Sequence, residues 1–235
     1  MTNTTALVCI AKNEDNYIDE WLDYNRAVGF DRIFVYQNDW RYSGDKSLRK
    51  WVEWVEWDGE KMQMRAYNDF IDRHCADYAF AAFFDVDEYI CLFEDRDVKD
   101  FFARYSDFPA VGVNWRYFGD GGMADVTGGD YSLVRRFVRC GKTLNRHVKT
   151  MLNLAKCGNI AHFVNPHFVD VSMWYDFTVD VGKKTYIHGP FNDVFTYGEA
   201  QLNHYCSKTF GEFQDKIARG KADTAKDHPM YNYTA

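Results

Sequence analysis

Ala6-Leu-Val-Cys-Ile-Ala11, broken by Lys12-Asn-Glu-Asp15, opens the stretch on which the fold turns. A continuous apolar run of this length reads as a strand buried on both faces. Beyond the break, Ile18, Trp21, Leu22 and Val28 recur at helical spacing, and Gly29 stands where a helix would stop. Arg32-Ile-Phe-Val-Tyr36 returns as a second strand and runs into the polar Gln37-Asn-Asp39. Strand, helix and strand in this order form a βαβ unit with parallel strands.

The pattern continues. Trp51–Trp57 fits a strand, although Trp51, Trp54 and Val55 also fit a helix. Residues 60–77 read as a helix with Met62, Ala66, Phe70 and Ile71 inward. Ala79-Phe-Ala-Ala-Phe-Phe84 is another buried strand, and it runs into Asp85-Val-Asp87-Glu88. The alternation predicts an α/β fold whose mostly parallel central sheet has helices on both faces. After Ala110 the spacing predicts shorter strands at Val111–Tyr117, Ser132–Val138 and Lys184–His188, joined by longer loops. Thr209-Phe-Gly-Glu212 is a capping box, expected to open a helix that closes at Arg219-Gly220.

Composition narrows the function. At 235 residues the chain has room for one medium domain, and no Pro/Gly/Ser-rich linker divides it. Lys and Arg number 28 against 35 Asp and Glu, a net charge of −7, with no basic stripe; binding nucleic acid through its phosphates is not expected. Trp, Tyr and Phe make up 18% of the chain, enough to fill a core and still offer platforms to sugar rings or bases. The six cysteines form no CxxC pair and read as reduced thiols. Without a signal-peptide pattern or a long apolar run, the expectation is a soluble cytoplasmic protein.

In open α/β sheets, ligands gather at the carboxyl ends of the strands. That rule brings three clusters to one rim: Lys12–Asp15, Gln37–Asp39 and Asp85–Glu88. Asp85 and Asp87, delivered by a buried strand, suit a hard divalent cation, since Mg²⁺ or Mn²⁺ is commonly held by one or two carboxylates plus phosphate oxygens. A solvated acidic turn is the plain alternative. His204, at the end of a late strand, reads either as a third ligand or as a hydrogen-bonded core histidine. Gln63 and Asn68 read as helix surface or as weak site candidates.

Cys9-Ile-Ala-Lys-Asn-Glu14, Tyr17-Ile18, Glu20-Trp21-Leu22, Gly29, Tyr36-Gln-Asn38 and Phe83-Phe-Asp-Val-Asp-Glu88 together resemble family 2-type glycosyltransferases, most nearly the bacterial DUF23, family 92-like branch. Asn114-Trp-Arg-Tyr-Phe-Gly119, Arg136-Phe137, His147-Val-Lys149, Asn165-Pro-His-Phe168, Asn203-His-Tyr205, Lys208 and Arg219-Gly220 continue the resemblance in order over nearly the whole chain. Two departures, Asn25 for the more usual His and Asp120-Gly-Gly for Ser-Ser-Gly, bear on the acceptor.

The resemblance implies a GT-A fold, with a nucleotide-sugar-binding half at about 1–110 and an acceptor-side half at about 111–235. It implies a nucleotide-diphosphate-sugar donor and Mn²⁺ or Mg²⁺ at Asp85 and Asp87. The acceptor would be a glycan or lipid-linked glycan of a surface polysaccharide, met with at most peripheral membrane association. Lys12, Asn13, Glu14, Asn38 and Asp39 would then meet the nucleoside, and Lys149 and Lys208 the diphosphate. Trp115, with Tyr117 and Phe118, and His167 would line the acceptor side. Inversion would require a carboxylate base, for which Asp120 and Asp193 stand first, then Asp125 and Glu199. Two other classes compete: a sugar nucleotidyltransferase, which usually carries a Gly-rich phosphate loop absent from Lys12-Asn-Glu14, and an aromatic glycan-binding module, which would not need Asp85 and Asp87.

Overall fold

The computed structural model describes residues 4–126, 128–142, 145–170, 177–195 and 197–219. Its first unit is the expected βαβ: β1 (Thr5–Ala11), α1 (Ile18–Val28) and β2 (Arg32–Gln37). Ile18, Trp21 and Leu22 are buried, and Gly29 ends α1 with φ 115°, a conformation glycine adopts without strain. Residues 51–57 resolve as a strand, β3 (Val52–Glu56), parallel to β2. Then come α2 (Gln63–His74), β4 (Phe80–Phe83), β5 (Glu88–Leu92), α3 (Val98–Arg104) and β6 (Ala110–Tyr117).

The second half departs from expectation. Residues 132–138 form no strand but a single helical turn, α4 (Leu133–Arg136). Ser132 caps it by accepting from the Arg135 N–H, and the Glu20 carboxylate accepts from the Leu133 N–H at 2.7 Å. Two acceptors on the first turn satisfy donors that a strand ladder would otherwise take. There follow β7 (Val148–Asn153), α5 (Leu154–Cys157), β8 (His162–Asn165), β9 (Phe168–Asp170) and β10 (Thr178–Asp180). The strand expected at 184–188 shortens to β11 (Tyr186–Ile187), and β12 (Ala200–His204) and α6 (Phe210–Arg219) complete the described elements. Gly220, the expected stop of α6, lies outside the described residues.

The main sheet runs β11-β10-β6-β7-β4-β1-β2-β3, with β1 parallel to β2 and β4, and β10 parallel to β6. Only β7 and β11 run against their neighbours on this path. Odd-numbered β1 side chains (Leu7, Cys9) join one core with α1 and α3, and even-numbered ones (Ala6, Val8) join another with α2. The fold is therefore α/β, with a mostly parallel central sheet covered on both faces.

One irregularity positions the site. Up to Asn114, β6 pairs with β7; from Trp115 to Tyr117 it pairs with β12, which also pairs antiparallel with β5. That second ladder sets His204 opposite Glu88 on one side and Tyr117 on the other. It opens at the carboxyl end of β4, where the chain turns through Asp85–Asp87.

Candidate active site

Because β1, β2 and β4 are parallel neighbours, their carboxyl ends share one edge, and the three polar clusters meet there. Lys12 donates to Asp39 at 3.0 Å, which joins the first two. Asn13, Asp39 and Lys208 all take positive φ, at 53°, 46° and 51°. Backbone strain of this kind persists where the surroundings over-determine it, commonly at ligand sites. Asn38, expected to touch a nucleoside, spends its amide on the Trp57 and Gly59 carbonyls and so fixes the end of β3.

At the end of β4 the turn closes in both directions. The Glu88 N–H donates to the Asp85 carbonyl at 3.0 Å, and the Asp85 N–H donates to the Glu88 carboxylate at 2.9 Å. Strand alternation has ended by this point, so Asp85, Asp87 and Glu88 gather in one place. Asp85 accepts from Gln63 at 2.8 Å and from Lys149 at 3.0 Å, and about a third of its side chain stays exposed. Glu88 is wholly buried, with Lys149 at 3.4 Å. Burial pushes the Glu88 carboxyl well up. Burial also opposes ionisation of Asp85, but the Lys149 ammonium outweighs it and holds that carboxyl low.

Lys149 lies fully buried beneath the turn, pinned to Asp85 and Glu88. It therefore acts on the carboxylates and does not stand at the surface as a diphosphate contact. Gln63, too, is misread as helix surface: it is buried and orients Asp85. Asn68 is a structural tie, exchanging two hydrogen bonds with the Phe163 backbone.

Asp87 is buried and has two partners. Its Oδ2 accepts from Lys216 of α6 at 2.5 Å, and its Oδ1 lies 3.5 Å from His204 Nε2. Burial alone would raise this carboxyl; Lys216 holds it well below the usual carboxylate range. Burial keeps His204 below its ordinary value and hence neutral at pH 7, the form that binds metals. His204 Nδ1 and Trp115 Nε1 are buried with no hydrogen-bond partner among the described residues. Three imidazoles surround Trp115, with ring centroids at 4.2 Å for His204, 4.7 Å for His167 and 5.0 Å for His147. His167, anchored by the Val148 carbonyl, is pushed by burial down to about 3.

The remaining expected residues sort by position. Asp193 pairs with Arg146 on an exposed lip, where Phe191 meets the His147 ring at 4.8 Å. Asp120 sits in the turn after Gly119 and accepts from the Gly122 N–H. Glu199 is bound to Arg104 and Tyr105, and Asp125 to the Val126 N–H. Glu14 and Lys208 are both buried and 3.7 Å apart. All six cysteines are free. No helix among the described residues is long and apolar enough to cross a membrane.

Helix α6 is held over this rim by a buried network. Glu212 accepts from Tyr17 at 2.7 Å and from both Arg136 terminal nitrogens, and it completes the expected capping box with Thr209. Arg136, Thr209 and Tyr17 more than offset burial and lower its pKa from 4.5 to about 2. A depressed carboxyl stabilises the fold above its unfolded value and loses that contribution as pH falls through the folded one. Acid titration of wild type should therefore detach α6 between about pH 4.5 and 2, whereas Glu212→Gln should lower the melting temperature at pH 7 and flatten this window. Equal melting temperatures at pH 7 for the two proteins would contradict the assignment.

No family model matches the chain, and no curated protein does so. Among solved structures it is similar to a 2-C-methyl-D-erythritol 4-phosphate cytidylyltransferase from Francisella tularensis. The two share 13% identity with a TM-score of 0.35, over 67% of this chain and 76% of that one.

Proposed function

We propose that this chain is a glycosyltransferase of GT-A type that moves a sugar from a nucleotide-diphosphate donor, a UDP-sugar in the first instance, to a glycan acceptor with inversion. The observation that carries the reading is the Asp85–Glu88 turn at the carboxyl end of β4, where Asp87 faces a neutral His204 on a rim shared with β1 and β2.

Among the described residues no three His, Cys, Asp or Glu side chains form a ready cage. Mg²⁺ and Mn²⁺ sites of transferases, however, take part of their shell from substrate phosphates. Asp87 Oδ1 and His204 Nε2 are 3.5 Å apart, close to the roughly 3 Å between adjacent ligands of one octahedral ion. The residues fit. Asp87 and His204 would hold Mn²⁺ or Mg²⁺, which when bound offsets charge on the leaving diphosphate.

The chain's own groups supply the rest. Asp85, expected as a second carboxylate ligand, has its oxygens on Gln63 and Lys149 instead; Lys149 keeps it ionised and Gln63 aligns it at the rim. Lys12, Asn13, Glu14 and Asp39 line the nucleoside end, with Lys208, expected at the diphosphate, buried instead over Tyr17 beside Glu14. Trp115 and His167 form the acceptor wall. Proton removal from the acceptor falls to Asp193, on the lip beyond Phe191 and His147, with Asp120 in the turn after Gly119 as the second candidate.

The test is a hydrolysis screen of UDP-, GDP- and CMP-sugars with Mn²⁺, scored by release of free sugar and nucleotide. One donor should be cleaved above background, and chelation with EDTA should stop it. Pyrophosphate release from a nucleoside triphosphate plus a sugar phosphate would replace this reading with nucleotidyl transfer. Turnover of neither substrate pair, with no binding of UDP, would leave no transferase.

A further inference from the structure

Lys208 precedes α6 with a left-handed backbone, and Glu212 and Lys216, four residues apart, share one face of the helix, so the three follow in order along this stretch. All three turn inward. Lys208 lies 3.4 Å over the Tyr17 ring, Glu212 is fixed by Tyr17 and Arg136, and Lys216 reaches Asp87 and the Cys206 carbonyl. The stretch straddles the rim from Glu14 to Asp87. Glu212 in its middle is an anchor; Lys216 beyond it sits on the carboxylate that faces His204.

This contact has a consequence for any ion at Asp87. An ammonium and a divalent cation on one nearly buried carboxylate repel each other strongly, because little water intervenes to screen them. The lysine stem has four rotatable carbons, so the ammonium can leave while Glu212 keeps α6 in place. A diphosphate beside the ion offers it new oxygens.

We propose that Lys216 is a donor-site residue: it holds Asp87 before the ion binds, yields that carboxylate to the ion, and turns to the donor's diphosphate. This rests on the Asp87 metal reading above. Lys216 and the ion compete for one carboxylate, so each weakens the other by the same factor.

Mn²⁺ alone, followed by the electron paramagnetic resonance signal of the free ion, is titrated into wild type, Lys216→Met, Lys216→Arg and Asp87→Asn. UDP in saturating Mn²⁺ is titrated calorimetrically into wild type and Lys216→Met. Lys216→Met should bind Mn²⁺ about tenfold more tightly and, with Mn²⁺ saturating, UDP about tenfold more weakly, while Lys216→Arg keeps near wild-type Mn²⁺ affinity. Unchanged Mn²⁺ affinity, or unchanged UDP affinity, in Lys216→Met overturns the proposal. If that variant does not fold by circular dichroism, Lys216→Gln takes its place with the same expectations. Equal Mn²⁺ binding by Asp87→Asn and wild type would show instead that the ion is not on Asp87, so the metal reading itself would fall.

Discussion

Asp87→Ala should reduce donor turnover about 10³-fold, equivalent to roughly 4 kcal/mol of lost transition-state stabilisation. The effect is large because this one carboxylate faces His204 and, in the reading above, joins the ion to the protein. The fold should survive. Lys216 loses its partner, but about a fifth of its side chain is exposed, and the ammonium can extend to water. Product formation by chromatography, with circular dichroism melts alongside, separates the two effects. A fully active Asp87→Ala protein, or full wild-type turnover in EDTA, would remove the ion from the mechanism.

The largest expected loss of stability lies underneath, at Lys149. This ammonium is wholly buried between Asp85 and Glu88, and their carboxylates hold its pKa up against burial. Lys149→Met keeps the volume and removes the charge, leaving two carboxyls without their cation. Breaking a buried pair from one side costs about 3–5 kcal/mol. The sign with pH follows from the carboxylates. Without Lys149 their folded pKa values rise, so the variant regains relative stability as pH falls and they take up protons. Urea unfolding at pH 7.5 and pH 5 reads both the size and the slope. A loss below about 1 kcal/mol, or one that grows towards acid pH, would show that this cluster does not hold the turn.

The N-terminal half was legible because its signals are local. Ala6–Ala11, Arg32–Tyr36 and Ala79–Phe84 are apolar runs that only strands buried on both faces need. Asp85 and Asp87 follow one of them directly, so the rim could be read from order alone. The misses have a common origin in distant partners. Ser132–Val138 reads as a strand until Glu20, more than a hundred residues earlier, caps its first N–H groups. Lys149 looks like a solvated phosphate ligand until β7 places it beneath Asp85. Gln63 looks like helix surface until β4 ends beside it. Lys216 is missed; its only trace in the sequence is its four-residue spacing from Glu212, and spacing cannot say what such a pair faces. His204 reads from sequence either as a ligand or as a core histidine, and it lies buried 3.5 Å from Asp87.

The pairing of Glu88 with His204 also bears on the order of folding. Within residues 5–56 the parallel strands β1, β2 and β3 pair each with its neighbour in sequence, and this part of the sheet can form early. Asp87 waits for β12 and α6, whose contacts close loops of more than a hundred residues, and such long-range closures are the slow steps of folding. Chemistry therefore assembles last, and a chain interrupted before residue 200 would lack β12 and with it the histidine beside Asp87.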